Sequence, residues 1–168
     1  MNTLIKQIRE QAAVNFINLE TAVRTYNRDA LVCGSPAWRY VYHAIHSADK
    51  WFINPCDHTE PDFHTEGLDN PDKPSSTMLT DSQLLEYLAK VREKTFAYLD
   101  TLDDSDLYEK PKDCPYTRLE LVLGQFRHIS LHTGMLNGQT IERTGRFPVA
   151  LGLDKNGYRR LEKSLYDE

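Results

Sequence analysis

The sequence is poor in cysteine, and its cysteines show none of the spacings typical of a disulfide framework or a metal site. Cys33, Cys56 and Cys114 are an odd number, and no two of them stand in a C-x-x-C arrangement. Neither a disulfide framework nor a zinc site built on thiolates is therefore expected. A reducing compartment suits such a chain, and we predict a cytoplasmic location.

Long apolar runs are also missing. The N-terminal segment carries Lys6, Arg9 and Glu10 where a signal peptide would need an uninterrupted apolar stretch. No run approaches the roughly 18 apolar residues of a membrane helix. The sequence thus predicts neither secretion nor insertion into a membrane.

Basic residues are not concentrated in any part of the chain. Lys and Arg number 20 against 25 Asp and Glu, which gives a formal net charge of −5 at pH 7. Because no basic stripe can face a phosphate backbone, we expect no nucleic-acid partner. Glycine and proline number only eight each and 40% of the residues are hydrophobic, which excludes disordered and low-complexity classes. We assign residues 1–168 to a single domain, since this length suffices for one core.

Apolar residues recur every three or four positions in four long segments, which is the period of one helix face. No convincing alternating run indicates a strand. The predicted long helices cover residues 3–26, 36–53, 80–102 and 117–144, and a short terminal helix is predicted within 158–166.

Three of these segments begin with a start signal. Ser35 followed by Pro36 is typical of a helix N-terminus, because the serine oxygen caps free amides and proline needs no donor there. Thr80 and Thr117 each stand three residues before a Gln or Glu, which is the spacing of a capping box.

The segment 55–79 holds four prolines and six acidic residues with almost no periodicity, and we predict a loop. A loop of this length inside a compact domain indicates either a functional lid or an error in the assignment. The four long helices predict an all-α four-helix bundle with this loop between helices 2 and 3 and a short C-terminal extension.

Histidine is the residue type whose spacing stands out. His128 and His132 are four residues apart, so their rings lie one turn apart on one helix face and can share a metal ion. Such a pair is frequent by chance among six histidines, and two exposed histidines are the alternative interpretation. His43 on helix 2 could supply a third nitrogen. His46, one turn further along, competes with it, although a partly exposed polar role is favoured for His46.

The residues around the histidines exclude better-known metal centres. No glutamate follows His128, so the H-E-x-x-H scheme lacks its general base. No glutamate stands three residues before any histidine, as di-iron bundles require. The loop triplet of Cys56, Asp57 and His58 lacks a partner pair, and we expect it to be solvated rather than to bind metal.

Two segments, 38–52 (WRYVYHAIHSADKWF) and 125–134 (QFRHISLHTG), resemble the DinB/YfiT-like metal-binding bundles. In that family one histidine of helix 2 and an H-x3-H pair on helix 4, often followed by x-G, hold a divalent ion. The resemblance covers about residues 3–145, and it implies a DinB-like fold and a homodimer. The second histidine on helix 2 and the long proline-rich stretch depart from the simplest pattern of the family.

The resemblance selects His43, His128 and His132 as ligands of a divalent ion, with Zn²⁺ or Ni²⁺ expected. Three neutral imidazoles leave the ion Lewis-acidic enough to lower the pKa of bound water toward roughly 7, or to deprotonate a bound thiol. We therefore expect a metal-dependent enzyme acting on a small molecule, first as a transferase that uses a low-molecular-weight thiol, and second as a hydrolase. The alternative is a non-catalytic metal- or small-molecule-binding bundle, such as a stress-related protein.

Other residues have candidate roles around this site. Gln125 and Tyr40 each lie one turn before a candidate ligand, where they either orient ligands or substrate, or are an ordinary surface amide and a core aromatic. Trp51 and Phe52 are candidates for the wall of a pocket. Three glycines in helix 4 indicate the close approach of a neighbouring helix or subunit, namely Gly124, Gly134 and Gly138.

Overall fold

Four long helices account for most of the chain that the computed structural model describes, which is residues 3–153 and 158–167. A single helical turn, α5, and two 3₁₀ turns complete the helical elements of these residues. The expected all-α class is confirmed. The long helices are α1 (Thr3–Thr25), α2 (Ala37–Trp51), α3 (Asp81–Leu99) and α4 (Arg118–Thr144), α5 spans Tyr158–Leu161, and the 3₁₀ turns are Pro55–Asp57 and Asp106–Tyr108.

The core lies between two helix pairs, because α1 and α2 each pack against both α3 and α4. Each of these helices contributes large apolar side chains that are fully buried, such as Phe16, Ile45, Leu84 and Ile129. Burial of one such side chain contributes about 1.5–3 kcal/mol to folding. The helical periodicity of the sequence therefore corresponds to a real shared core.

Both predicted capping boxes are present. The Thr80 hydroxyl accepts from the Gln83 amide at 3.3 Å, and the Gln83 side chain accepts from the Thr80 amide at 2.8 Å. Thr117 and Glu120 make the same reciprocal pair, at 3.3 Å and 2.7 Å. These bonds satisfy amides that have no partner within the helix.

The start of α2 differs from the prediction, because a short hairpin precedes it. Strand β1 (Leu31–Val32) pairs antiparallel with β2 (Ser35–Pro36). Cys33 and Gly34 both have positive φ, 48° and 86°, as a two-residue type I′ turn requires. A strand of two residues is too short to show any alternation in sequence.

Ser35 consequently does not cap α2. Pro36 is the residue that precedes the first turn, and no side chain caps the helix. The Ser35 hydroxyl instead donates a hydrogen bond to the carbonyl oxygen of Pro71 in the long loop. Ser35 and Pro36 thus stand at the start of α2, as predicted, but they form strand β2 of the hairpin and not a helix cap.

The loop 55–79 is held against α2, although it has no regular structure beyond its first 3₁₀ turn. Buried Arg39 of α2 donates from Nη2 to the carbonyl oxygens of Gly67 and Asn70, both at 2.7 Å, and of Lys73 at 3.0 Å. Leu68 is fully buried in the core. The predicted loop is confirmed, and it packs against α2.

The chain after α4 turns back over α1. Gly145, with a φ of 68°, ends α4 in the left-handed conformation that favours glycine. Strands β3 (Phe147–Pro148) and β4 (Tyr166–Asp167) pair antiparallel, so the terminal helix predicted at 158–166 is shortened to α5. Within the described part of the chain, none of the helices combines the length and apolar character that a bilayer crossing requires.

Candidate metal centre

Three imidazoles from two helices converge at one point of the α2–α4 interface. The Nε2 atom of His128 lies 3.0 Å from Nε2 of His43 and 3.1 Å from Nε2 of His132. The ring of His43 lies 4.9 Å from each of the other two rings, centroid to centroid. The structure therefore brings together the three residues that the sequence resemblance selects, with one nitrogen of each facing the others.

The orientation of His43 is set by the long loop. Its Nδ1 atom lies 2.6 Å from the carbonyl oxygen of Asp69. A carbonyl oxygen only accepts, so Nδ1 carries the proton and Nε2 of the neutral ring presents its lone pair to the centre. A hydrogen bond of this kind on the outer nitrogen is usual for histidines that bind metals.

The two short Nε2 contacts cannot both be hydrogen bonds between neutral rings. His43 accepts at Nε2, so His128 Nε2 must donate to it, and a nitrogen that carries a proton cannot also accept from His132. A cation between the three lone pairs removes this conflict. In a tetrahedral zinc site with Zn–N of about 2.0–2.1 Å, neighbouring nitrogens lie about 3.3–3.4 Å apart, close to the spacing found here.

Burial keeps the rings of His128 and His132 neutral and therefore able to bind a cation. Desolvation, with the neighbouring His43, lowers the pKa of His128 from 6.5 to about 4. Desolvation, with His128 and His43, lowers the pKa of His132 from 6.5 to about 4. At neutral pH both rings are uncharged, which is the form that binds metal.

The donor set consists of three nitrogens. Among the residues that the structure describes, no carboxylate or thiolate joins this group. His132 is buried, while His43 and His128 are only half-buried, so the centre is not sealed from solvent. Three protein ligands with a remaining position are typical of catalytic rather than structural zinc sites.

His46 does not belong to this centre, and the expectation that it is partly exposed is wrong. It is only 3% exposed, and its Nε2 lies 2.5 Å from a carboxylate oxygen of Glu60. One turn along α2 is enough to direct its ring to a different group of residues. Of the two candidates on helix 2, His43 is therefore the one beside His128 and His132.

Gln125 and Tyr40 do not hydrogen-bond the ligand rings. Nδ1 of His128 and Nδ1 of His132 are buried and find no hydrogen-bond partner among the described residues. Buried Gln125 instead accepts from the Ser47 hydroxyl at 3.4 Å, and the Tyr40 ring lies 6.1 Å from the His132 ring. Tyr40 therefore fits the packing interpretation. Gln125 is buried, so the interpretation as a surface amide is wrong, and its side chain links α4 to Ser47 of α2.

Two contributors to the site were not found in the sequence. Arg39 lies one turn before His43 on α2 and holds the loop carbonyls on either side of Asp69. Asp69 itself contributes a backbone oxygen, which has no side-chain signature. The four-residue spacing of Arg39 and His43 is the only sequence signal that could have suggested a shared role.

A cavity of about 390 Å³ is lined by Trp51, the last residue of α2, and by residues of the segment 116–127. Trp51 lines it, as expected, whereas Phe52 is buried in the core and stacks on Phe16. Gln125, one helical turn before His128, forms part of its wall, whereas none of the three histidines is among the residues that line it. The full lining is Trp51, Tyr116, Glu120, Leu121, Leu123, Gly124, Gln125 and Arg127.

The helix-4 glycines do not admit a neighbouring helix of the same chain. A Cβ placed on Gly124, Gly134 or Gly138 would meet nothing within 4 Å among the described residues. The close approach of a neighbouring helix that was predicted for them is therefore wrong among the described residues, and the approach of a subunit stays a prediction.

The centre thus offers a divalent ion three nitrogens and partial access from solvent. Comparisons of the chain with protein-family models, with curated proteins and with solved structures find no match. The chemistry of the site is accordingly inferred from its own geometry.

Proposed function

We propose that this protein is a metal-dependent four-helix bundle of the DinB/YfiT-like type, in which His43, His128 and His132 hold one Zn²⁺ or Ni²⁺ ion. The observation that carries the proposal is the convergence of three Nε2 atoms from two helices, with contacts of 3.0 and 3.1 Å. The sequence resemblance of segments 38–52 and 125–134 supports the same ligand set.

The reaction class follows from the charge of the ligands. When bound, an ion with three neutral ligands supplies enough Lewis acidity to activate a thiol or a water. The residues of this chain orient and shield the centre, since Asp69 fixes the His43 ring and α2 and α4 bury His132. Thiol-dependent transfer to a small electrophile is the first activity proposed, and hydrolysis is the second.

The cavity whose wall includes Gln125, one helical turn before His128, supports a small-molecule substrate. Its volume of about 390 Å³ falls in the range of ligand pockets, roughly 300–1,000 Å³. Its wall combines the indole of Trp51 with the guanidinium of Arg127 and the carboxylate of Glu120. Such a wall suits a molecule that has an apolar body and a polar or charged group.

Metal content and turnover test the proposal together. Purified protein is analysed for metal, and thiols of low molecular weight are then assayed with a panel of electrophiles, and separately with hydrolysable esters and amides. We expect one metal equivalent and one activity to disappear together in His128→Ala. If the wild type retains a metal that stabilises its fold but shows no turnover on any panel, the non-catalytic metal-binding alternative would be favoured.

A homodimer is part of the proposal, through the outer face of α4. Leu131 on this face is 60% exposed, and Gly134 and Gly138, three and seven residues further along α4, leave the backbone open to a second chain. Light scattering of the purified protein should give twice the mass of the chain. A mass of 19.4 kDa at all concentrations would contradict the dimer but not the metal site.

A further inference from the structure

A second group of ligand-type side chains lies one turn further along α2 from the metal centre. His46 of α2 meets Glu60 of the loop, with Nε2 and Oε2 at 2.5 Å. His58 Nε2 lies 3.4 Å from the same carboxylate oxygen. One ligand atom from each of these three residues lies within 4.8 Å of those of the other two.

His58 is the informative member of this group. Its side chain is only 2% exposed, so the expectation that it is solvated is wrong, yet neither of its ring nitrogens makes a hydrogen bond to the described residues. A buried polar group without a partner costs about 1–3 kcal/mol, so native structures rarely keep one without a reason. The ring is directed toward the Glu60 carboxylate, where an ion would take up its lone pair.

The neighbours of this group hold it in place. The His64 ring stacks on His46 with 4.9 Å between centroids, and its Nδ1 is bonded to the Tyr42 hydroxyl at 2.7 Å. Lys50 Nζ lies 3.4 Å from the other Glu60 oxygen, Oε1, on the solvent side. Oε2 therefore remains directed toward the imidazoles, while Lys50 neutralises the outer edge of the carboxylate.

We propose that His46, His58 and Glu60 form a second divalent-cation site, separate from the three-histidine centre. Two imidazoles and one carboxylate are an established ligand set for Zn²⁺. Oxygen-only cations such as Mg²⁺ and Ca²⁺ are disfavoured by the two nitrogen ligands.

An ion at this position would tether the loop to α2. His58 and Glu60 belong to the loop 55–79, and His46 belongs to the helix. The same loop supplies the carbonyl oxygen that orients His43, and Arg39 holds its later part. The second site therefore binds the loop to α2 at residues 58–60, and Arg39 and His43 bind it at residues 67–73.

Zinc stoichiometry tests the second site independently of the first. Full-length protein freed of metal is dialysed against buffered Zn²⁺, and bound zinc is counted per chain for the wild type and single variants. We expect two equivalents in the wild type and one in His58→Ala and in Glu60→Gln. His128→Ala should lose the other equivalent and keep this one.

Glu60→Gln keeps the test valid if His58→Ala does not fold. Glu60 is 40% exposed and glutamine has the same shape, so this variant removes the charge without leaving a cavity. Asp62→Asn is the matched control, because it removes an exposed carboxylate of the same loop and should retain two equivalents.

The outcomes separate the two sites. Two equivalents in both His58→Ala and Glu60→Gln, or a wild type that binds only the zinc removed by His128→Ala, would overturn the second site. Loss of zinc in Glu60→Gln but not in His128→Ala would instead overturn the three-histidine centre and leave this inference standing.

Discussion

At the scale of single residues, the metal centre depends on side chains of α2 that bind backbone oxygens of the loop. Arg39 and His43 lie one turn apart and together hold four carbonyl groups between residues 67 and 73. This clasp sets the tautomer of His43 and hence the direction of its lone pair. The loop is therefore part of the site although none of its side chains joins the three imidazoles.

Replacing Arg39 by lysine should release this part of the loop. Lysine keeps the positive charge, but its side chain is one bond shorter, so its ammonium does not reach the position from which Arg39 Nη2 donates to three carbonyl oxygens. We expect the free energy of unfolding, measured by urea denaturation, to fall by about 2–3 kcal/mol. Amide hydrogen exchange should accelerate within residues 67–73, and unchanged exchange there would show that Arg39 does not hold the loop.

At the scale of elements, the helix termini are where local sequence and structure agree best. The capping boxes at Thr80 and Thr117 involve residues three positions apart, so their presence follows from sequence alone. Ser35 fails as a cap because its hydroxyl finds Pro71, 36 residues away, and no local pattern can show such a partner. The sequence places the start of α2 to within one residue. It does not show why the helix starts there, because the hairpin and its bond to the loop are not visible in the local pattern.

The second capping box offers a direct test of this local contribution. Thr117→Ala removes the oxygen that accepts from the Glu120 amide at the start of α4. We expect a loss of about 1 kcal/mol in the free energy of unfolding. Thr117→Ser should restore most of it, since serine presents the same oxygen, and equal losses in the two variants would refute the capping explanation.

The start of α1 uses a distant cap that sequence spacing does not reveal. The Asp104 carboxylate accepts hydrogen bonds from the backbone amides of Thr3, Leu4 and Ile5, at 2.9, 3.2 and 2.9 Å. These bonds, with the Ile5 amide as the strongest influence, lower the pKa of Asp104 below its ordinary value of 3.8.

The lowered pKa gives this cap a defined pH dependence. A carboxyl group whose pKa is lower in the folded state stabilises the fold at pH values above its pKa in the unfolded chain, 3.8. This stabilisation is lost as the pH falls through the pKa of the folded state. Urea denaturation from about pH 6 to about pH 2 should therefore show a smaller acid-induced loss in Asp104→Asn than in the wild type. Parallel pH curves for the two proteins would contradict the cap.

At the scale of the whole molecule, all six histidines fall into two clusters, both of which include α2. The three-histidine group could be selected from sequence, because His128 and His132 share a helix face and the family resemblance adds His43. The second cluster could not, because His58 and Glu60 reach His46 through the irregular path of the loop. Periodicity describes helices but says nothing about where a loop returns.

Zinc should stabilise the whole fold through the three-histidine centre. An ion that binds only the folded state adds about 2.7 kcal/mol at a free concentration 100 times its Kd. We expect Zn²⁺ to raise the Tm of chelator-treated protein, and to raise it less in His128→Ala, which retains only the proposed second site. An equal rise in both proteins would place the stabilising ion outside the three histidines.

The central claim is that His43, His128 and His132 together hold one divalent ion. Anomalous diffraction at the zinc edge, from crystals grown with Zn²⁺, tests it most directly. We predict an anomalous peak within about 2.0–2.1 Å of the Nε2 atoms of all three residues. Density that shows the three rings in the arrangement described here, with no anomalous peak between them, would contradict it.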